Sequence, residues 1–282
     1  MTALLALGSG WTSGIVAAGG DPMSHVLPHK LGPEIFGLAL RNHIFMLFVT
    51  MVLLLIFVPL AARKKDIIPK GFRNFLEALM QVIREQVARP VLGKKTDTFI
   101  PYLWTFFFTI LLANLLGMIP LGAMVSGISA DKALAHWGGT ATGNISVTVG
   151  LGIAAFFLIH VGGMAVHGVG GYWKYFFFGH APAFLAPLMI PLELAGAAVK
   201  PAALAVRLCA NMTAGHIILA VLIGFGVAAA KLGGGYLGVT AASVLGAMVF
   251  SVLEVFVAFL QAYIFTFLLT LFLGAAVIHD HH

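Results

Sequence analysis

The sequence predicts an all-α, polytopic membrane protein of about five transmembrane helices. The last two are long and steeply tilted and form an antiparallel hairpin, and one amphipathic helix lies on the membrane surface. Three observations carry this. Sixty per cent of the 282 residues are apolar and only 9% are charged, against roughly 25% charged in an ordinary soluble domain. Apolar runs of about 20 residues, the length that ~30 Å of hydrocarbon requires, recur along the chain. Nine of the sixteen basic residues fall between positions 63 and 95, so the net charge of +6 reports membrane orientation and not nucleic-acid binding. The single cysteine, Cys209, excludes an internal disulfide framework.

Taken in order, residues 1–35 are too mixed to span and lack the basic start of a signal peptide. They are expected to form an extramembrane arm, with an uncleaved insertion signal as the alternative. A single membrane domain is expected over 36–282. Its first span is 43–62. The basic stretch then contains 69–90, where Phe72, Phe75, Leu76, Leu79, Ile83 and Val87 recur at helical spacing with charge opposite, the pattern of an interfacial amphipathic helix. Spans at 99–120 and 144–168 flank a polar loop around Asp131, Lys132 and His136. An aromatic stretch, 170–180, is read as a loop. Further spans are expected at 183–230 and 239–278, interrupted by Gly233, Gly234 and Gly235. The basic loop after the first span belongs in the cytoplasm, which puts the N-terminus outside and the C-terminus inside.

Forty residues of helix extend about 60 Å, twice the hydrocarbon thickness. Between 239 and 278 there is no proline and no polar cluster to make a turn, so a single steeply tilted helix is expected. The polar residues within these last segments are the second anomaly: Lys200, Arg207, Asn211 and His216, then Glu254 and Gln261. His216 lies 19 residues before Gly235 and Glu254 lies 19 after it. In an antiparallel pair of helices they face each other, and Arg207, 28 before that glycine, is expected to face Gln261, 26 after it. Arg207 and His216 are nine residues apart, about 180° around a helix. One side is then available to a partner and the other to an internal polar site.

Residues 187–219, PLMIPLELAGAAVKPAALAVRLCANMTAGHIIL, closely resemble the signature of subunit a of F-type ATP synthases. Its core falls on Arg207, Leu208, Asn211, Met212, Ala214, Gly215 and His216. Residues 260–265 resemble the family's closing Leu-Gln-Ala-x-Ile-Phe, and Asn-Leu-Leu-Gly-Met-Ile-Pro at 114–120 resembles its second-span motif. The resemblance covers roughly residues 40 to 275. It implies proton translocation coupled to a rotating ring of c subunits, with peripheral-stalk b subunits as further partners. It also implies one copy per complex, no cofactor, no metal, and a bacterial inner membrane or an organellar one. By the same resemblance the invariant arginine is Arg207, the outer half-channel pair His216 and Glu254, and the inner carboxylate Glu193. Gln261 and Asn211 are supporting amides. Where many members open the third span with Asp-x-Asn-x-Thr, this chain has Asn144, Ser146 and Thr148, so no acidic entry group is expected at Asn144.

The chemistry fits these residue types. Burial in lipid raises a rotor carboxylate's pKa by up to 3–5 units. A guanidinium, always charged, placed ~4 Å away at an effective dielectric of ~20 contributes about 4 kcal/mol, roughly three units downward. Other polar positions are read plainly: Lys200 snorkels, Asn114 makes an interhelical hydrogen bond, and His160 and His167 are packing residues. His25 and His29, four apart, are too few to hold a metal. The mirror spacing of His216 and Glu254 fits a structural ion pair equally well; only the resemblance makes them a relay. The rival class is a stand-alone proton-coupled secondary transporter, against which there is no internal repeat and no matched pair of broken helices. No Gly-x4-Gly-Lys-[Ser/Thr] occurs, so nucleotide chemistry is expected to belong to partners.

Overall fold

A computed structural model describes residues 41–62, 71–119, 140–178, 186–232 and 236–278. The expected N-terminal arm, His25 and His29, the polar loop at 131–136, the glycines at 233–235 and the C-terminal histidines lie outside these residues. The described chain forms eight α-helices. The first is α1 (Asn42–Ala62). Next, α2 (Phe72–Val82) passes through a π-helical turn, Ile83–Ala88, into the short α3 (Arg89–Leu92). A 3₁₀ turn, Gly93–Lys95, leads to α4 (Thr96–Met118). Then follow α5 (Ile145–His167), α6 (Val169–Phe178), α7 (Ala186–Lys231) and α8 (Leu237–Val277). Four helical segments are long and apolar enough to cross a membrane, with α1 contributing a shorter apolar stretch. At 46 and 41 residues, α7 and α8 are about 69 and 62 Å long, each some twice a ~30 Å hydrocarbon layer.

The chain divides into two compact units. One comprises Met1–Leu47, Ala113–Asn144 and Cys209–Phe259. Here the second half of α7 runs antiparallel to the first half of α8. A methyl group on Gly215 would touch Glu254, one on Gly246 would touch Leu222, and one on Gly226 would touch Ser243, so the register is constant along the pair. The Thr240 hydroxyl donates to the Gly226 carbonyl at 3.5 Å along the same seam. Small residues let the two backbones approach, the usual means of packing helices where lipid gives no hydrophobic drive.

The other unit comprises Phe48–Leu112, Ile145–Leu208 and Leu260–His282. Gly93, at φ 52°, reverses the chain between α3 and α4. The Thr96 hydroxyl donates to the Gly93 carbonyl at 2.7 Å, and Arg84 pairs with Asp97 across the reversal. Further along, the Trp104 indole donates to the Met80 carbonyl at 3.0 Å, so the amphipathic helix and α4 lie antiparallel. Gly152 of α5 meets the Pro201 carbonyl and Ala205 of α7, and Gly162 meets Phe99 and Leu273. The last turn of α8 is held by two donors. Lys95 Nζ (3.1 Å) and His167 Nε2 (2.9 Å) both reach the Val277 carbonyl, where the helix dipole favours positive charge.

One sequence expectation changes. The stretch read as a loop at 170–180 is mostly helix α6. Gly168, at φ 73°, breaks α5, after which Tyr172, Trp173 and Phe176 share one helical face around His160.

Candidate functional site

The polar residues of the two long helices are set apart by burial. Glu254 is 4% exposed and Gln261 5%, whereas Arg207 and Asn211 are exposed and Glu193 and His216 are half-buried. The structure brings His216 and Glu254 together: Nδ1 lies 3.7 Å from Oε1. That is an ion-pair separation, too long for a hydrogen bond. Both Glu254 oxygens and His216 Nε2 are buried and accept or donate no hydrogen bond among the described residues. Gly215 makes the approach possible, since a Cβ there would stand 2.7 Å from Glu254 Oε1. The sequence contained this glycine within its motif, but nothing marked it as the residue that admits the carboxylate.

Arg207, nine residues before His216 on α7, is exposed. Ala203, Ala210, Asn211 and Ala214, at helical spacing around it, are all exposed, as are Val199, Val206 and Ile218 along the same helix. Leu204, Leu208 and Met212 on the other side are buried. No described residue forms an ion pair with Arg207. The exposed face is therefore mostly apolar, carries one guanidinium and the Asn211 amide, and has small side chains next to the guanidinium. On α8, Leu245, Met248, Val249, Val252 and Phe256 are likewise half or more exposed.

Other polar groups have structural partners. Asn114 accepts from the Thr142 hydroxyl at 2.6 Å and donates to the Ala258 carbonyl at 3.4 Å, the interhelical role expected of it. Cys209 and Thr213, four apart on α7, both donate to the Gly143 carbonyl at 3.3 Å. Thr148 is fully buried and its hydroxyl donates to the Ile145 carbonyl at 3.1 Å. Lys200 places its ammonium 5.5 Å from the centre of the Phe272 ring, a cation–π contact beyond simple snorkelling.

His160 is 6% exposed, with Nδ1 2.6 Å from the Tyr172 hydroxyl and its ring parallel to that of Trp173. It is packed as expected, in an aromatic box made by α6. Nothing in the sequence links Tyr172 to His160, because the α5–α6 break lies between them. Burial, and secondarily the charge of Glu193, push the Tyr172 phenol up to about 12.

Residues 44–274 match the sequence profile of the family described as ATP synthase A chain. Three curated relatives bear the name ATP synthase subunit a. The chain is 40% identical over 270 residues to that of an Anaeromyxobacter species, covering 93% of this chain and 61% of the relative. It is 37% identical over 267 residues to that of Chlorobium phaeobacteroides (93% and 72%). It is 41% identical over 247 residues to that of Anaeromyxobacter dehalogenans (86% and 59%). The chain thus spans about three-fifths to seven-tenths of the length of these relatives.

Proposed function

Because the chain belongs to the ATP synthase A chain family, we propose that it carries protons through two offset half-channels against a rotating ring of c subunits. Proton flow down its gradient then drives ring rotation and ATP synthesis by the assembled F-type complex. The chain is an integral membrane protein with several apolar helices of spanning length. In this reading it resides in a bacterial inner membrane, N-terminus outside and C-terminus in the cytoplasm. Its membrane domain is 36–282 with an extramembrane arm at 1–35. Five spans are laid out as 43–62, 99–120, 144–168 and a steeply tilted hairpin of 183–230 and 239–278, with the amphipathic helix at the cytoplasmic surface. One copy acts per complex, held by peripheral-stalk b subunits. Nucleotide chemistry belongs to partners, and proton transfer here needs no cofactor.

The observation that carries the reading is Arg207: an exposed guanidinium on a mostly apolar face with small residues beside it, forming no ion pair with any described residue of its own chain. Such a cation is costly in lipid unless an anion meets it. The ring's carboxylates supply that anion. Arg207 makes each arriving carboxylate ionise, since about 4 kcal/mol of attraction offsets roughly three pKa units of desolvation. As a permanent positive charge it also stops protons crossing directly from one half-channel to the other.

His216 and Glu254 act on the outer side. Their buried oxygens and ring nitrogen, close to each other and without hydrogen bonds among the described residues, suit proton hand-over better than a fixed ion pair would. Glu193 serves the inner exit. Gln261 and Asn211 position the arginine and its surroundings. Torque follows from charge exchange under a field worth ~2.3 kcal/mol per charge per 100 mV. In membrane vesicles, Arg207→Ala should abolish ATP-driven proton pumping while the chain still inserts and assembles. Wild-type pumping by that variant would refute the assignment.

A further inference from the structure

In the unit that holds the second half of α7 and the first half of α8, only His43, His216 and Glu254 among the described residues carry an imidazole or a carboxyl group. The same three residues supply every buried side-chain nitrogen or oxygen of that unit that makes no hydrogen bond among the described residues: His43 Nδ1, His216 Nε2 and both Glu254 oxygens. His43, at the start of α1, is 6% exposed. Its backbone N–H donates to Asn42 Oδ1 at 2.9 Å, but no described group meets the ring at Nδ1.

Packing alone does not account for an imidazole there. Met46, one turn along α1, is buried with Ala113 and Ala141, surroundings that an apolar side chain would suit without leaving a polar atom unpaired. An unpaired buried polar atom costs about 1–3 kcal/mol. Ala113 and Ala141 each precede a buried polar residue. The Thr142 hydroxyl donates to Asn114 Oδ1 at 2.6 Å, and the Asn114 amide donates to the carbonyl of Ala258, one turn beyond Glu254 on α8. Next to Thr142, the Gly143 carbonyl accepts at 3.3 Å from Thr213, three residues before His216 on α7. The segments packed on α1 thus reach the helices of both Glu254 and His216 through polar groups. Neither 113–118 nor 140–144 carries an ionisable side chain, so His43 is the group on this side that binds and releases a proton.

We propose that His43 is a third proton-carrying residue of the outer half-channel, taking up a proton on its ring and passing it toward His216 and Glu254. The inference rests on the proton-translocation reading above. Protons balance: the neutral imidazole gains one to become imidazolium and returns to neutral on releasing it. The Thr142 and Thr213 hydroxyls, each able to accept a proton while giving up another, are the groups that hand it on. The charges beside His43 within α1 are positive, namely the exposed Arg41 and the start of the helix itself. Both oppose a lasting imidazolium, so the proton is released and not stored.

The test is ATP-driven proton pumping by the intact complex in membrane vesicles, with assembly checked for each variant. His43→Gln stays polar but binds no proton, and should lower pumping about tenfold, a modest share of the ~10²–10⁴ that a positioned proton donor contributes. His43→Phe should do the same. His43→Glu restores a titrating group and should keep most of the pumping, its pH dependence moved toward acid because a carboxyl titrates about 2 units below an imidazole. A packing role reverses that order, with phenylalanine best and the buried carboxylate worst. That reversed order, or wild-type pumping by His43→Gln, overturns the proposal. Arg207→Ala, run alongside, separates the two claims. Pumping by that variant overturns the reading on which this inference rests, whereas its silence beside an unimpaired His43→Gln overturns the inference alone. Should the His43 variants fail to assemble, exchange of the imidazole C2 hydrogen in the wild-type complex, followed by mass spectrometry, decides. Exchange at His43 that titrates between about pH 5 and 8 supports a ring in proton contact with water. Slow exchange, flat across that range, overturns it.

Discussion

Glu254 and Gly215 are so close across the antiparallel pair that a single methyl group on the glycine would stand 2.7 Å from Oε1 of the carboxylate. The buried acid of α8 therefore has its place only because α7 has no side chain there. Gly215→Ala must push the carboxylate away from His216 or spread the helices. Overpacking of this kind costs about 1–3 kcal/mol. Thermal unfolding of the complex should show the loss, with ATP-driven pumping falling too. Gly150→Ala is the control. Nothing lies within 4 Å of its added methyl, so it should be neutral or stabilising by up to ~1 kcal/mol.

The 3.7 Å approach of His216 to Glu254 yields a second expectation. If the two serve as one relay, their effects on pumping are non-additive. His216→Ala and Glu254→Ala should each lose most pumping, and the double variant little more. Exchanging the pair, His216→Glu with Glu254→His, should recover part of what either single exchange loses. Additive losses, and no recovery in the exchanged pair, would show two unrelated side chains.

How far these residues were legible in the sequence differs case by case. The facing of His216 and Glu254 followed from equal spacing about a glycine cluster, because an antiparallel helix pair maps sequence distance directly onto space. The opposed faces of Arg207 and His216 followed from helical periodicity. Gly215 was unreadable until its opposite residue was known, since a glycine in a helix carries no label for what approaches it. Helix α6 reads as a loop in the sequence because its glycines and aromatics mimic one. Its stability comes from packing on His160, a tertiary contact with no local signal. The hold on the end of α8 was likewise invisible. Lys95 and His167 reach a backbone carbonyl 182 and 110 residues away, and a carbonyl leaves no mark in sequence.

That hold gives a third expectation. Lys95→Ala and His167→Ala each remove a donor from Val277, and each should cost about 1 kcal/mol, given the partial exposure of both donors. Together they should fray the last turn of α8. Limited proteolysis of the complex in detergent should then cut the C-terminal segment several-fold faster than in the wild type. An unchanged cleavage rate in the double variant would mean that the turn is held by its packing alone.

Tyr172 gives a pH-dependent expectation. Its phenol is pushed up to about 12, first by burial and then by the negative charge of Glu193, from an ordinary value near 10. The raised value means that the folded protein favours the protonated form. The stability this contributes is complete below pH ~10 and is lost as pH rises through ~12. Ultraviolet difference titration should find one tyrosine ionising well after the others, and Tyr172→Phe should remove that late step. The same variant leaves His160 Nδ1 without its 2.6 Å partner and should cost about 1–3 kcal/mol.

The proposed function depends above all on the charge of Arg207. The most direct measurement is a density map of the assembled complex at that side chain. The account predicts a ring carboxylate within ion-pair distance of the guanidinium, on the face shared by Ala203, Ala210 and Ala214, and no carboxylate of its own chain bound to it. A guanidinium paired with an acid of its own chain, or turned to lipid with the ring seated elsewhere, would contradict it.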